Sequence, residues 1–331
     1  MARIGRVTLS TVAHAAGVSL ATVSKVVNNR EDVSPVTRAR VQRLLEQQNY
    51  VPLSGRPGVG VRLVDLVFTA LDSPWAIEII RGVAASDLDV VVSSMADAPS
   101  PERWAEHLAG AGRAGAIIVT SELTAPQRQA FDRAQIPCVV IDPVDLPDPD
   151  VPSVGATNWA GGLAATRHLH GQGHRRIAVI GGPQHLLCSR ARIDGYRAAL
   201  DAAGLPIDPT LIRHGDFHHI GGYERARELL ALPDRPTAIF AGSDEQAFGV
   251  VEAARVCGLG VPGDLSVIGF DDLPMSRWAS PPLTTVRQPL AEMGRVAAQM
   301  LQSLMEGRLL NSSRVELSTT LIVRSSTAPP R

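Results

Sequence analysis

The sequence predicts an α/β body of two lobes, each built on a doubly wound parallel sheet, preceded by a small all-α headpiece. From about residue 62 onward, runs rich in Val and Ile alternate with segments that carry Ala, Leu and Arg at helical spacing. Strands that are buried on both faces and separated by helices are typical of parallel sheets. The 331 residues suffice for two or three domains with separate cores.

The headpiece begins with two short predicted helices joined by one tight turn. Residues 7–29 read VTLSTVAHAAGVSLATVSKVVNN. Thr8 caps a helix through LSTVAHA, Gly17 supplies the positive φ that ends it, and Ser19 caps a second helix, LATVSKVVN. Small and branched apolar residues recur where the two helices would pack together: Val12, Ala13, Ala16, Val18, Val23 and Val26. This spacing predicts a helix-turn-helix.

A third helix completes the headpiece. Ser34 is its cap, Pro35 occupies its first position, and Val41, Leu44 and Leu45 form an apolar stripe. An ordinary three-helix bundle that binds no ligand has the same pattern, so the pattern alone leaves both interpretations open.

The charge of the headpiece favours binding to nucleic acid. Residues 1–62 hold nine Lys+Arg against three Asp+Glu, a net charge of +6. Since the whole chain carries −1, the remainder carries −7. Phosphate contacts supply most of the non-specific affinity for DNA, and a basic headpiece on an acidic body suits that role.

The body contains eight β-branched runs in two sets of four, separated near residues 151–158. They are RLVDLVFTA, LDVVVSS, GAIIVT, PCVVID, RRIAVIGG, LIRHGDF, TAIFAG and DLSVIGF. Near the end, PPLTTVRQP leads into a long helix, LAEMGRVAAQMLQSLMEG, and one last strand, RVELSTTLIVR. We therefore expect two α/β lobes.

Several classes of protein do not fit this sequence. The three cysteines are odd in number and widely spaced, so we expect buried free thiols at Cys138, Cys188 and Cys257. No apolar run of about 18 residues and no signal-peptide core is present, which predicts a cytoplasmic protein without a membrane partner. GLGVPG at residues 258–263 contains Pro262 and precedes a strand, so it cannot open a phosphate-binding helix.

Motifs for catalysis and metal binding are also absent from the sequence. His168, His170 and His174 do not share one helix face, which argues against a metal site. No GxSxG, HExxH or Walker sequence occurs. We expect no metal, no cofactor and no enzymatic activity.

Two headpiece segments carry a specific resemblance. LSTVAHAAGVSLATVSKVVNN, followed by VSPVTRARVQRLLEQQNYVP, resembles the DNA-binding headpiece of the lactose-repressor/purine-repressor (LacI) family of bacterial transcription regulators. HGQGHRRIAVIGG, SRARIDGY, DLSVIGFDD and PPLTTVRQP extend the resemblance over essentially the whole chain. It implies the sugar-responsive branch of the family and a body with the fold of periplasmic sugar-binding proteins, in which the chain crosses between the lobes three times.

This resemblance sets the expected domains. We expect a helix-turn-helix headpiece at 1–52, a Gly/Pro-rich linker at 53–62, and an effector-binding and dimerisation domain at 63–331. Lobe 1 would comprise about 63–156 and 287–317, and lobe 2 about 157–286 and 318–328.

The resemblance also implies which headpiece residues contact DNA. Leu20, Ala21 and Lys25 would meet base edges in the major groove. The phosphate-contacting and capping residues would be Thr8, Ser19, Thr22, Ser24 and Asn28. Lysine can donate to guanine O6 and N7, whereas Leu20 and Ala21 offer only apolar contact.

Candidate effector residues follow the strands of the body, because ligands of two-lobed α/β folds bind outside the carboxyl ends of the strands. They are Asp72, Trp75, Asp142, Trp159, Arg192, Phe217, Ser243, Asp271 and Trp278. Aromatic faces cover the C–H faces of a sugar, while carboxylates and an arginine fix the direction of its hydroxyls. The effector would then be a small sugar or sugar derivative. Structural roles stay open for Arg192 and Asp271 as a pair, and for Trp159 in the core.

These features together predict a DNA-binding transcription regulator, a repressor of carbohydrate-utilisation genes whose operator binding is controlled by a small sugar. One short recognition helix reads only a few base pairs, so a homodimer on a palindromic double-stranded operator is expected. The alternative is a cytosolic sugar-binding or sugar-modifying protein without a regulatory role.

The linker departs from the family that the chain resembles. The family places there an Ala/Arg/Leu-rich hinge helix that wedges a leucine into the minor groove. Here the sequence is VPLSGRPGVGVRL, in which Pro52, Pro57 and three glycines disfavour a helix. Within this segment Leu53 is the only leucine before Leu63, and it precedes most of the Gly/Pro cluster. We expect no standard hinge helix and no leucine-driven kink in the DNA.

Leu53→Ala should therefore change operator affinity little, and affinity should fall steeply with salt because phosphate contacts dominate it. Lys25→Ala should relax the preference at one base pair per half-site by about 1 to 3 kcal/mol. Titration of operator DNA by fluorescence anisotropy at several salt concentrations measures both. A large loss for Leu53→Ala, with strong bending in a circular-permutation gel assay, would show that a wedge exists.

Overall fold

The computed structural model describes residues 9–27, 30, 32–47, 63–95, 101–120 and 124–331. The chain forms two compact units, Met1–Arg62 and Leu63–Arg331. Thr8, Asn28 and the linker at 53–62 lie outside the described residues. In the part of the chain that is described, no helix is both long and apolar enough to cross a membrane.

The described part of the headpiece is a helix-turn-helix followed by a third helix. The helices are α1 (Leu9–Ala16), α2 (Leu20–Val27) and α3 (Pro35–Gln47). Gly17 has φ +61° in the turn before α2. Two predicted caps are confirmed, since Ser19 Oγ accepts from the Thr22 N–H at 3.1 Å and Ser34 Oγ accepts from the Thr37 N–H at 3.3 Å. The buried core consists of Val12, Ala13, Ala16, Val23, Val26 and Val41.

The body is built around two six-stranded sheets. Its first elements are β1 (Leu63–Phe68), α4 (Pro74–Ala84), β2 (Asp89–Ser94), α5 (Pro101–Gly110), β3 (Gly115–Val119), α6 (Ala125–Ala134), β4 (Cys138–Ile141) and β5 (Ser153–Ala156). The next are α7 (Asn158–Gly171), β6 (Ile177–Gly181), α8 (Leu187–Ala202), β7 (Ile212–His214), α9 (His219–Leu230), β8 (Ala238–Ala241), α10 (Asp244–Val256), β9 (Ser266–Asp271) and β10 (Thr284–Arg287). The last are α11 (Leu290–Met305), β11 (Arg314–Leu317) and β12 (Thr320–Ile322).

Each sheet is the centre of one lobe. Lobe 1 has the strand order β11-β5-β4-β3-β1-β2, and lobe 2 has β12-β10-β9-β8-β6-β7. All neighbouring strands are parallel except β10 and β12, which are antiparallel. The predicted fold class, two parallel-sheet α/β lobes with a small all-α headpiece, is confirmed.

The chain passes between the lobes three times, after β5, after β10 and after β11. Helix α7 packs on α8 in lobe 2, and α11 packs on α4 in lobe 1. The first and third crossings are joined, because Thr319 N donates to Thr157 Oγ1 at 2.9 Å and Thr319 Oγ1 donates to the Thr157 carbonyl at 3.1 Å. The lobes therefore share a hydrogen-bonded hinge.

The prediction of a single last strand is wrong. RVELSTTLIVR contains β11 in lobe 1 and β12 in lobe 2, because the chain crosses at residues 318–319. The pattern also misses β5, which lies in the predicted gap between the two sets of strands, and β10 within PPLTTVRQP. Both are four-residue strands whose sequences, SVGA and TTVR, lack a long β-branched run.

Two glycines let α4 and α11 cross at backbone contact. A Cβ on Gly82 would lie 1.9 Å from the Ala291 carbonyl oxygen, and one on Gly294 would lie 2.5 Å from the Ile79 carbonyl oxygen. The neighbouring atoms are backbone, so they cannot move aside as a flexible side chain would.

Gly82→Ala should lower the free energy of unfolding of the body by about 1 to 3 kcal/mol. The free-energy cost of overpacking at this crossing should exceed the gain from the higher helix propensity of alanine. Urea unfolding followed by circular dichroism measures the change. Gly110→Ala is the matched control, since a Cβ there meets nothing within 4 Å. Equal stability of both variants would contradict the close crossing.

Candidate functional site

The predicted DNA-reading residues lie on one short helix of the headpiece. Leu20 is 53% exposed at the start of α2, and Ala21 is exposed beside it. Val23 and Val26 point into the core on the same helix. Helix α2 thus buries Val23 and Val26 and presents the predicted base-reading residues to solvent. Ser19 and Thr22 are joined through their hydroxyls at 2.9 Å, and Ser24 is half-buried.

Lys25, the only lysine in the chain, forms an ion pair that sequence reasoning missed. Its Nζ lies 2.6 Å from Asp32 Oδ2, and both side chains are about half exposed. The hydrogen bond from Lys25 holds the pKa of the Asp32 carboxyl below its ordinary value. Asp32 thus takes up one of the three N–H donors of the Lys25 ammonium group. Lys25 lies on α2 and Asp32 lies in the turn before α3, so no helical spacing in the sequence predicts that they pair.

The body contains a cavity of about 200 Å³ between its two lobes, which we call the interlobe cavity. It opens at the carboxyl ends of β1, β3, β4, β7, β8 and β9, as expected for ligand sites in open α/β sheets. Lobe 1 supplies Phe68, Thr69, Ala70, Asp72, Ser73, Trp75, Ala76, Val119, Thr120 and Asp142. Lobe 2 supplies Leu186, Cys188, Arg192, Asp216, Phe217, His218, Ser243, Glu245 and Asp271.

Arg192 is the central cation of the cavity and is only 4% exposed. Its Nε donates to Asn158 Oδ1 at 2.9 Å, and its Nη1 donates to the Gly242 carbonyl at 2.6 Å. The guanidinium carbon lies 3.8 Å from the centre of the Phe270 ring and 5.3 Å from that of Phe217. Stacking and hydrogen bonds together fix the guanidinium in one orientation.

Two buried carboxyls interact with Arg192. Burial raises the pKa of Asp142, while Arg192 opposes the shift. Burial likewise raises the pKa of Asp271 well above its ordinary value, against the opposing effect of Arg192. Gln288 Nε2 donates to Asp271 Oδ1 at 2.7 Å. Asp142 has φ 50° and Asp271 has φ 123°, so both have backbone conformations that residues other than glycine rarely adopt.

The mouth of the cavity is bridged by polar side chains from both lobes. Ser73 Oγ in lobe 1 donates to Glu245 Oε1 in lobe 2 at 2.5 Å. His218 in lobe 2 lies with Nδ1 3.6 Å from Glu245 Oε2 and with Nε2 3.8 Å from Asp72 Oδ2. These contacts hold the two lobes together at the rim.

Seven of the nine predicted effector residues line the interlobe cavity: Asp72, Trp75, Asp142, Arg192, Phe217, Ser243 and Asp271. Ser243 is already engaged, because its hydroxyl donates to the Phe217 carbonyl at 2.6 Å and accepts from the Gln246 N–H at 3.0 Å.

Trp159 and Trp278 do not line this cavity. Trp159 is 47% exposed in the first turn of α7 and lines a separate cleft with Arg314 and Glu316. Trp278 is 77% exposed after a short 3-10 helix. A loop position after a strand therefore does not by itself direct a side chain into the cavity.

Sequence reasoning missed Ser73, Glu245 and Cys188 as cavity residues. Ser73 and Glu245 follow strand ends, so the rule that found Asp72 and Ser243 could have found them. Cys188 lies in the second position of α8, where it hydrogen-bonds the Asp142 carboxyl. No sequence signal marks that contact.

Within the described residues, no group of three or more His, Cys, Asp or Glu is placed to hold a metal ion. His174 is a buried structural residue, with Nδ1 2.8 Å from Thr237 Oγ1 and Nε2 2.9 Å from the Ala328 carbonyl. His168 Nε2 lies 3.0 Å from Thr327 Oγ1. Both histidines fasten the last residues of the chain to lobe 2.

Comparison with known proteins assigns the two units. A model for "Bacterial regulatory proteins, lacI family" matches residues 8–53, and one for "Periplasmic binding protein-like domain" matches residues 166–327. The chain is 35% identical over 339 residues to the HTH-type transcriptional regulator CelR of Thermobifida fusca, covering 98% of this chain and 100% of that protein. It belongs to the LacI family of bacterial transcription regulators. It is also 34% identical to the ribose operon repressor of Escherichia coli (strain K12), over 96% of this chain and 99% of that protein.

Solved structures of LacI-family proteins resemble the whole chain. A CelR–cellobiose complex superimposes with a TM-score of 0.73 at 36% identity, covering 97% of this chain and all of that one. A lac repressor dimer bound to operator and the anti-inducer ONPF gives 0.79 at 27% identity, over 98% and 100% of the two chains. The relatives are named regulators and repressors, and this LacI-family chain is a DNA-binding transcription regulator rather than an enzyme.

Asp271→Asn should change how stability depends on pH. The folded-state pKa of Asp271 is raised, so above the unfolded pKa of about 3.9 the folded chain binds this proton more tightly. Its contribution to stability is present at low pH and is lost as pH rises toward the folded pKa. The asparagine variant has no such proton. The free energy of unfolding of the native chain, minus that of the variant, should fall as pH rises from about 4; parallel curves would contradict the shift.

Proposed function

We propose that this LacI-family regulator represses carbohydrate-utilisation genes in the cytoplasm and that a small sugar in the interlobe cavity controls its operator binding. The observation that carries the proposal is the cavity itself, whose walls come from both lobes around one buried arginine. A ligand there contacts both lobes at once. Two relatives support a sugar, since one is named a ribose operon repressor and another is solved as a cellobiose complex.

The cavity residues suit a polyol. Trp75 and Phe217 offer aromatic faces from opposite lobes, and Arg192, Asp142 and Asp271 offer directional polar groups between them. Asp72 and Ser243 complete the proposed effector set. We leave Trp159 and Trp278 out of it, because neither lines the cavity.

Ligand binding would reach the hinge through two hydrogen bonds. Arg192 donates to Asn158, which begins the first lobe 2 element after the first crossing. Asp271 accepts from Gln288, which lies on the second crossing between β10 and α11. A sugar that moves Arg192 or Asp271 therefore acts on two of the three crossings. A rotation of one lobe against the other would then change how operator is bound.

The partner on the DNA side is a palindromic double-stranded operator, read by a homodimer. Leu20, Ala21 and Lys25 would read bases, with Ser19, Thr22 and Ser24 near phosphates; Thr8 and Asn28 keep the same predicted role outside the described residues. A relative solved as a dimer on operator supports two-fold binding. A sugar-binding or sugar-modifying protein without a regulatory role would have no use for the headpiece.

Arg192→Ala should weaken sugar binding by about tenfold or more, because it removes the only buried cation among the described cavity residues. Operator affinity without sugar should be retained. Arg197→Ala is the matched control on the same helix, since Arg197 is about half exposed and pairs with Asp194 outside the cavity. Isothermal titration and operator anisotropy measure the two affinities. An unchanged sugar titration for Arg192→Ala would remove it from the site.

A further inference from the structure

Acidic side chains outnumber basic ones in the lining of the interlobe cavity. Its described lining holds five carboxylic acids, Asp72, Asp142, Asp216, Glu245 and Asp271, against one arginine and one histidine. The body contains no lysine, because Lys25 is the only one in the chain. Even without the two buried acids whose pKa values are raised, three acids remain against one arginine, so an anionic ligand would meet more negative than positive charge on the walls.

Arg192 is poorly placed to receive a phosphate. Two of its nitrogens donate to Asn158 and to the Gly242 carbonyl, and one face of its guanidinium covers Phe270. Its charge already acts on two buried carboxyls, Asp142 and Asp271. The two-pronged end-on geometry with which arginine usually grips phosphate requires a free fork.

Helix N-termini are the other common phosphate sites, and four helices contribute first-turn or cap residues to the cavity: α4, α8, α9 and α10. Acids of this chain stand at three of them. Helix α10 has Asp244 and Glu245 in its first turn. Asp142 hydrogen-bonds Cys188 in the first turn of α8, and Asp216 Oδ1 accepts from the N–H of His218, the cap of α9, at 2.9 Å.

The fourth helix is capped and faces an acid as well. Ser73 Oγ accepts from the Trp75 N–H at 3.2 Å in the first turn of α4, and the same hydroxyl donates to Glu245. Carboxylates of the protein thus lie at the N-terminal ends of α9 and α10 and beside that of α8, and a serine caps α4.

We infer that the effector of this regulator is an uncharged sugar, and that the cavity rejects sugar phosphates and sugar acids. This inference rests on the proposed sugar control and narrows it to one chemical class. Like charges brought together in a desolvated site repel one another strongly, so a phosphate ester should bind at least about 100-fold more weakly than its parent sugar.

The test uses the full chain and matched pairs of probes: D-ribose with D-ribose 5-phosphate, D-glucose with D-glucose 6-phosphate, and cellobiose with cellobionate. Isothermal titration gives both dissociation constants of each pair. The expected result is binding of at least one uncharged sugar and a loss of about 100-fold or more for its anionic partner. An anionic probe that binds as tightly as its parent overturns the inference and leaves sugar control standing.

A charge-neutral variant separates repulsion from poor fit. Glu245→Gln keeps the size of a rim side chain and removes its negative charge. The difference in affinity between parent sugar and ester, which we call the gap, should become about tenfold smaller. Glu252→Gln makes the same change on α10 outside the cavity, where Glu252 faces His219, and should leave the gap unchanged. If the ratio of the dissociation constants of ester and parent sugar is the same in both variants, charge repulsion is not the reason for the weaker binding. If no probe binds while operator DNA still does, the proposed sugar control fails, and this inference fails with it.

Discussion

The buried guanidinium of Arg192 is the interaction on which the effector cavity depends. It is held by Asn158 and the Gly242 carbonyl, covered by Phe270, and interacts with the buried carboxyls of Asp142 and Asp271. A buried charge without partners is costly, whereas a charge with hydrogen bonds and counter-charges can persist in the interior. Removing one member would leave the others uncompensated. The arrangement therefore ties elements of both lobes to one another through a single side chain.

The same cluster connects the cavity to the hinge. Asn158 and Gln288 are each hydrogen-bonded to a charged cavity residue and each lies next to a crossing between the lobes. The Thr157 and Thr319 contacts tie the first crossing to the third. Coupling between distant sites needs a physical element with two arrangements that both sites influence. The hinge between the two lobes is the candidate for such an element, since the contacts of Ser73 with Glu245 and of Asp72 with His218 join one lobe to the other at the rim.

Local regularities explain why so much of the fold was predictable. Gly17, Ser19, Ser34 and the buried valines of the headpiece act within one or two helical turns, so their spacing is visible in the sequence. The long β-branched runs of the body mark its central strands for the same reason. Short strands such as β5 and β10 escaped, because four residues with Gly or Thr carry no distinctive period. Residues of the site were predictable where they lie at or soon after the carboxyl end of a strand, as for Asp72, Asp142 and Asp271.

The sequence by itself determined the helix-turn-helix, the two parallel-sheet lobes, the family and seven of the residues that line the cavity, because these follow from local spacing and from motifs that stay together in the chain. Tertiary structure alone decided that RVELSTTLIVR divides into two strands, that Lys25 pairs with Asp32, and that Trp159 and Trp278 do not line the cavity. It also decided that Glu245 and Ser73, 172 residues apart, meet at the rim. Such contacts depend on how separate elements pack in three dimensions, and no period along the chain encodes them.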